Sequence, residues 1–211
     1  MGRAESIYAE LLWQGGRAAV PPVDVHLAAS ILALSFFEAE NEGRSLAEVT
    51  GLDGEELTEL CRIAFPHVSL PEQGAPQVGH EEQALRDILW MNCGEASVFE
   101  LLLARLVARR CQRPNHLWQD LGFASRDELS MLMRLHFPRL ALKNANDMKW
   151  KKFFYRMMCS SEGFRLCSVP VCTECDDFEA CFGPEDGEAL LARIANGKLP
   201  SSASSSVAGY A

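Results

Sequence analysis

The sequence predicts an all-α protein: a helical body with two hairpin-like pseudo-repeats, followed by a C-terminal Cys-rich segment. Three observations carry that reading. Apolar residues recur at helical spacing through most of the first 158 positions. No run alternates polar and β-branched residues as a half-buried strand would. Four of the eight cysteines fall between Cys167 and Cys181. The chain divides accordingly into a helical domain over 5–158, a Cys-rich segment with a closing helix over 159–198, and a small, polar tail over 199–211 whose composition predicts disorder.

The elements follow in order. "SIYAELLW" (6–13) is expected to place Ile7, Leu11 and Leu12 on one helix face. Gly15-Gly16 stops that helix and Pro21-Pro22 opens the next segment. Residues 24–40, "DVHLAASILALSFFEAE", carry an apolar stripe among good helix formers. Residues 70–82 read as a loop, and 82–111 supply two helices broken near Asn92 to Gly94. "MKWKKFFYRMMC" (148–159) reads as a helix in which Trp150, Phe154 and Met158, or Phe153 and Met157, recur at helical spacing and pack on the body. "DGEALLARIAN" (186–196) is the closing helix.

An internal echo underlies the pseudo-repeats. "LAEVTGLDGEELTELCRIAFPHVSL" (46–70) resembles "LWQDLGFASRDELSMLMRLHFPRLAL" (117–142). Gly51 matches Gly122, and after a one-residue insertion Leu57, Leu60 and Phe65-Pro66 match Leu129, Leu132 and Phe137-Pro138. Each copy is expected to start with a capping box, Asp53 with Glu56 and Ser125 with Glu128. Each helix is expected to end near its Phe-Pro, because proline disfavours helix in the residue before it.

Composition narrows the function classes. With 20 Lys and Arg against 29 Asp and Glu the formal net charge is -9, so nucleic acid is not an expected partner. No stretch approaches eighteen apolar residues, so no membrane span is expected. The start, "MGRAESIYAELLWQGG", lacks a basic segment followed by a long apolar run, so no export signal is expected. The expected location is the cytoplasm, where thiols stay reduced. No P-loop, dinucleotide fingerprint or nucleophile–base constellation stands out, so turnover catalysis is not expected.

The cysteines follow C-x4-C-x2-C-x5-C: Cys167, Cys172, Cys175 and Cys181. Short gaps bring several sulfurs to one centre with little loss of loop-closure entropy. Thiolates are soft donors that select zinc, copper(I) or iron–sulfur clusters. Disulfides would need an oxidising compartment. Structural zinc usually uses two separated C-x2-C pairs, whereas here one pair is flanked by longer gaps. An iron–sulfur cluster fits better, since the first three cysteines have the spacing of plant-type ferredoxins. The fourth comes too soon for that family and the helical body is wrong for it. Zinc therefore stays open on the residues alone.

The flanks are polarised. Lys143, Lys149, Lys151, Lys152 and Arg156 precede the motif, against Asp147; Glu174, Asp176, Asp177, Glu179, Glu185, Asp186 and Glu188 lie within or beyond it. These runs read either as solvated faces or as a basic surface for an anion beside an acidic surface for a basic partner. Lys151 and Lys152 are the expected anion-attracting pair. Cys159 is a weaker candidate as an auxiliary ligand. Cys61, Cys93 and Cys111 sit in helical stripes and belong to the core, while His67 and His136 are expected to pack or cap.

"NHLWQDLGF" (115–123), "MKWKKFFYR" (148–156) and the four-cysteine segment ending "ACFG" (180–183) together resemble the NifQ family of nitrogen fixation proteins. The resemblance runs from about Ile7 to Gly183 and is strongest in the last third. It implies a molybdenum–iron–sulfur carrier that supplies molybdenum for the iron–molybdenum cofactor of nitrogenase, and not an enzyme. It implies Cys167, Cys172, Cys175 and Cys181 as ligands of a Mo-Fe-S or [4Fe–4S] cluster, with molybdate as the source. The implied partners are the nitrogenase cofactor-assembly scaffold and the nitrogenase iron protein. Three thiolates suffice for three irons of a cube, leaving one corner for molybdenum and the fourth cysteine to close it. Two other readings remain open: a [4Fe–4S] electron-transfer protein and a zinc-stapled interaction module.

Overall fold

Ten helices make up the fold in the computed structural model, which describes residues 2–71 and 74–161 (159–161 by backbone alone) together with Glu185, Ala189 and Ile194. No strand occurs among the described residues, so the all-α expectation holds. The closing helix over 186–196 and the disordered tail over 199–211 lie outside them, save that Ala189 is described without regular structure and Ile194 is helical and buried.

Helix α1 (Arg3–Gln14) ends in a 3-10 turn over Gly15–Arg17, where the glycine pair was expected to stop it. Its inner face is Ala4, Ile7, Tyr8 and Leu11. Leu12 points outward at 37% exposure, because a 3.6-residue period places position 12 beside 8 and away from 4. Helix α2 (Pro22–Glu42) starts on the proline pair, whose ring fixes φ where the missing N–H costs nothing. It ends on Gly43 in the left-handed conformation, whose N–H donates to the Ala39 carbonyl.

Instead of the expected single stripe, α2 is buried on nearly every side: Val25, Leu27, Ala28, Ile31, Leu32, Leu34 and Phe37 all lie in the core. A helix apolar all round belongs inside. By length and composition it is even apolar enough to cross a membrane, with mean hydropathy 1.3, which corrects the expectation that no stretch approaches that threshold. In the fold 72% of that window is covered by protein. Its two buried serines donate back to the helix, Ser30 to the His26 carbonyl at 3.0 Å and Ser35 to the Ile31 carbonyl at 2.7 Å, leaving no hydroxyl orphaned.

α3 (Leu46–Thr50) and α4 (Gly54–Ala64) pack on α2, and α5 (His80–Met91) packs on α6 (Val98–Cys111), which also meets α3 and α4; α7 (Leu117–Asp120), α8 (Arg126–His136) and α9 (Pro138–Lys143) follow. The loop before α5 thus closes at Gly79, earlier than its expected end. Gly51 and Gly122 both take φ 75°, which a β-carbon disfavours. At Gly122 that carbon would also lie 2.6 Å from the Ser30 carbonyl oxygen of α2, so the turn into α8 sits directly on the central helix. Asp53 caps α4 as expected: it accepts from the Glu56 N–H at 2.9 Å while Glu56 accepts from the Asp53 N–H at 3.0 Å. Ser125 does not repeat this. Its side chain makes no cap hydrogen bond, because Glu128 turns away to accept from the Ala124 N–H at 3.0 Å and to face His26 Nε2 at 3.5 Å. Phe65 and Phe137, both buried, end α4 and α8, yet only Pro138 starts a new helix.

Charges inside this body are paired. Arg110 of α6 is 0% exposed; its guanidinium grips Glu38 of α2 at 2.5 and 2.9 Å and donates to the Asp120 carbonyl at 2.5 Å. Arg113 adds a second contact to Glu38 at 2.8 Å. On another side Glu82 holds Arg86 at 2.6 Å and Arg109 at 3.1 Å, and Arg86 donates to the Gly51 carbonyl at 2.6 Å. His136 meets Asp24 of α2 at 3.0 Å and stands edge-on to Phe99.

Removing one member of a buried pair strands the other charge. Arg110→Ala is expected to lower the unfolding free energy by about 3–5 kcal/mol, read from urea denaturation; Arg110→Met with Glu38→Leu should recover most of that loss.

Candidate metal centre

The described element that precedes the four-cysteine segment in the chain is α10 (Trp150–Ser161). Its approach is pinned by Asn144, whose side-chain amide donates to the Met148 carbonyl at 2.9 Å and whose oxygen accepts from the Met148 N–H at 2.9 Å. Asp147 in that turn has φ 53°, and Arg126 donates to both its carbonyl and its carboxylate at 2.9 Å. Trp150, Phe153 and Phe154 form a buried aromatic cluster with centroids 5.4–5.9 Å apart, and Met157 and Met158 pack beside the core. The apolar face of this helix is therefore core packing, as its period predicts.

Lys151 departs from its expected role. Its ammonium donates to Asp120 Oδ2 at 2.5 Å and to the Arg113 carbonyl. Asp120 is 1% exposed and accepts a further bond from Asn115 at 2.9 Å. An ammonium locked on a buried carboxylate cannot attract an anion from solution, so Lys151 is a fastening of α10 and the expected anion-attracting pair reduces to exposed Lys152.

The ligand candidates Cys167, Cys172, Cys175 and Cys181 lie outside the described residues, as does the side chain of Cys159. What the structure does sort is the remaining thiols. Cys61, Cys93 and Cys111 are buried and unpaired, in the core as expected. Burial pushes the Cys61 thiol from 9.0 up to about 11 and the Cys111 thiol up to about 12, so neither offers a thiolate near neutral pH. Among the described residues no three His, Cys, Asp or Glu side chains are grouped to hold a metal ion.

The histidines divide differently from expectation. His136 packs, whereas His67 is exposed, since Pro66 turns that segment outward. His26, which has no evident partner in the sequence, pairs with the Tyr8 hydroxyl at 2.7 Å. Burial and the nearby Glu128 raise the Tyr8 hydroxyl above the ordinary tyrosine range.

Sequence reasoning missed Glu185. Its side chain is 4% exposed and faces Arg126 Nη1 at 3.3 Å and His116 Nδ1 at 3.4 Å. Beyond it Ala189 packs on the main core, and Ile194 joins Ala4, Leu34 and Phe37. Glu185 stands among six other acids in its stretch, and no local pattern singles it out.

Two outcomes follow. Lys151→Met should cost about 3 kcal/mol in urea unfolding by stranding Asp120, whereas Lys152→Glu should stay within about 0.5 kcal/mol of the parent. With the reduced protein in iodoacetamide at pH 8, mass spectrometry should find Cys61 and Cys111 unlabelled until denaturant is added.

The chain matches the NifQ family model over residues 27–183. It is 37% identical over 179 residues to the protein NifQ homolog of Sinorhizobium fredii, an alignment covering 80% of this chain and 78% of the relative. It is 36% identical over 167 residues to protein NifQ of Rhodobacter capsulatus, covering 78% of this chain and 93% of the relative. A further match, 37% identical over 153 residues, is protein NifQ of Azotobacter vinelandii, covering 64% of this chain and 77% of the relative. No solved structure matches. The matched span begins inside α2, contains the helical body beyond it and closes two residues after Cys181, and on this breadth of similarity the chain belongs to the NifQ family.

Proposed function

We propose that the protein is a molybdenum–iron–sulfur carrier that supplies molybdenum for assembly of the nitrogenase iron–molybdenum cofactor. The observation that carries this reading is the family match itself, whose span takes in all four cysteines of the C-x4-C-x2-C-x5-C motif. Family membership supports a role in nitrogenase cofactor biosynthesis involving molybdenum. The carrier chemistry rests on the donor set. Four closely spaced thiolates suit iron in a sulfide cage. Molybdate is a hard oxyanion, and assembling its metal into such a cage gives a species that a recipient can accept.

In this reading Cys167, Cys172, Cys175 and Cys181 hold the cargo, three of them on iron and the fourth closing the molybdenum corner until delivery. The helical body acts as a rigid mount: α10 is fixed by its aromatic face and by Lys151 on Asp120. Lys152 on its exposed side supplies a positive charge toward incoming molybdate. The recipients are the cofactor-assembly scaffold and the nitrogenase iron protein, in the cytoplasm, and no turnover catalysis is involved. Segments 46–70 and 117–142 are read as a duplicated helical hairpin that builds this mount.

Anaerobic purification followed by iron, molybdenum and zinc counts and an electron paramagnetic resonance spectrum tests the reading. Iron and molybdenum together are expected. Iron alone with reversible one-electron cycling would instead identify an electron carrier, and one zinc in a colourless protein an interaction module. Replacing each of the four cysteines by Ala in turn should leave one variant that loses molybdenum while retaining iron; equal loss of both metals in all four would overturn the division of labour.

A further inference from the structure

The C-terminal side of the cysteine motif has a built seat on the body. We propose that Glu185 is a positioning residue for the metal-binding segment: its carboxylate, lodged between Arg126 and His116, fastens the exit of the segment to the same part of the fold that fastens its entrance. The proposal rests on the carrier reading for the role of the cysteines, and on geometry alone for the fastening.

The entrance is α10, held on α7 by Lys151 against Asp120. The exit is Glu185, held by His116 at the N-terminal cap of α7 and by Arg126 at the start of α8. Both ends of the segment therefore attach to one short helix and its neighbour. Arg126 also donates to the Asp147 and Met148 carbonyls just before α10, so one guanidinium touches both attachments.

Chain reach makes the exit consequential. Phe182, Gly183 and Pro184 are all that separate Cys181 from Glu185. Four residues at full extension span at most about 14 Å, so the chain joining the Cys181 and Glu185 α-carbons can be no longer than that. Pro184 removes one backbone torsion from that short tether and restricts Gly183 before it. Further along the sequence Ala189 and Ile194 pack on the body as well.

The seat is also unlike an ordinary surface ion pair. The Glu185 side chain is buried, yet its Oε2 and the Arg126 Nε make no hydrogen bond, so the contact is held by charge more than by directed bonds. Loss of either charge leaves the other uncompensated away from water.

Glu185→Gln removes the charge and leaves the size. After anaerobic loading with iron and sulfide, iron release to a chelator is expected to be about tenfold faster than in the parent, the size of one charge-assisted contact. In the metal-free protein, trypsin cleavage at Arg165 should accelerate similarly, while the urea midpoint of the helical body stays unchanged. Glu185→Asp keeps the charge and must release iron more slowly than Glu185→Gln.

Release and cleavage rates unchanged in Glu185→Gln would overturn the proposal. So would acceleration that Glu185→Asp does not reverse. If the parent itself takes up no iron, the carrier reading fails, and the cleavage rates still decide whether Glu185 fastens the segment.

Discussion

Asp120 is the point on which the architecture turns. Its carboxylate is almost wholly buried and takes the Lys151 ammonium and the Asn115 amide, while its carbonyl takes Arg110. Arg110 in turn is closed by Glu38 from the central helix. One chain of charge-assisted bonds therefore links α2, α6, α7 and α10. A buried charge without a partner costs several kcal/mol, so each of these four helices is confined to the placement that completes the chain. The aromatic cluster of α10 supplies the non-directional part of the same docking, and the ion pairs supply its register.

A second constraint is steric. Gly122 approaches the backbone of α2 closely enough that a β-carbon would overlap the Ser30 carbonyl. The α7–α8 turn can lie against the central helix only because that residue has no side chain. This close approach sets the position of Arg126 and His116, which lie within six residues on either side of Gly122.

The same core separates the thiols into two chemical classes. Cys61 and Cys111 are surrounded by hydrocarbon and held protonated, which makes them packing groups. The thiols from Cys159 onward belong to a stretch rich in acids and small residues.

Local patterns were enough for the helical class, the breaks at Gly15-Gly16, Asn92 to Gly94 and the two Phe-Pro sites, the Asp53 cap, the core location of Cys61, Cys93, Cys111, Trp150 and Phe154, and the family resemblance. Each of these depends on residues near one another in the chain, where propensity, capping and periodicity act. Leu12 facing outward, α2 buried all round, Glu128 leaving Ser125 for His26, Lys151 sinking onto Asp120, and Glu185 meeting Arg126 and His116 were decided by tertiary structure. Such contacts join residues up to 112 apart, as in His136 with Asp24. A charge pattern in sequence reports how many charges exist, and only the packed fold determines which of them are taken out of water and must therefore find each other.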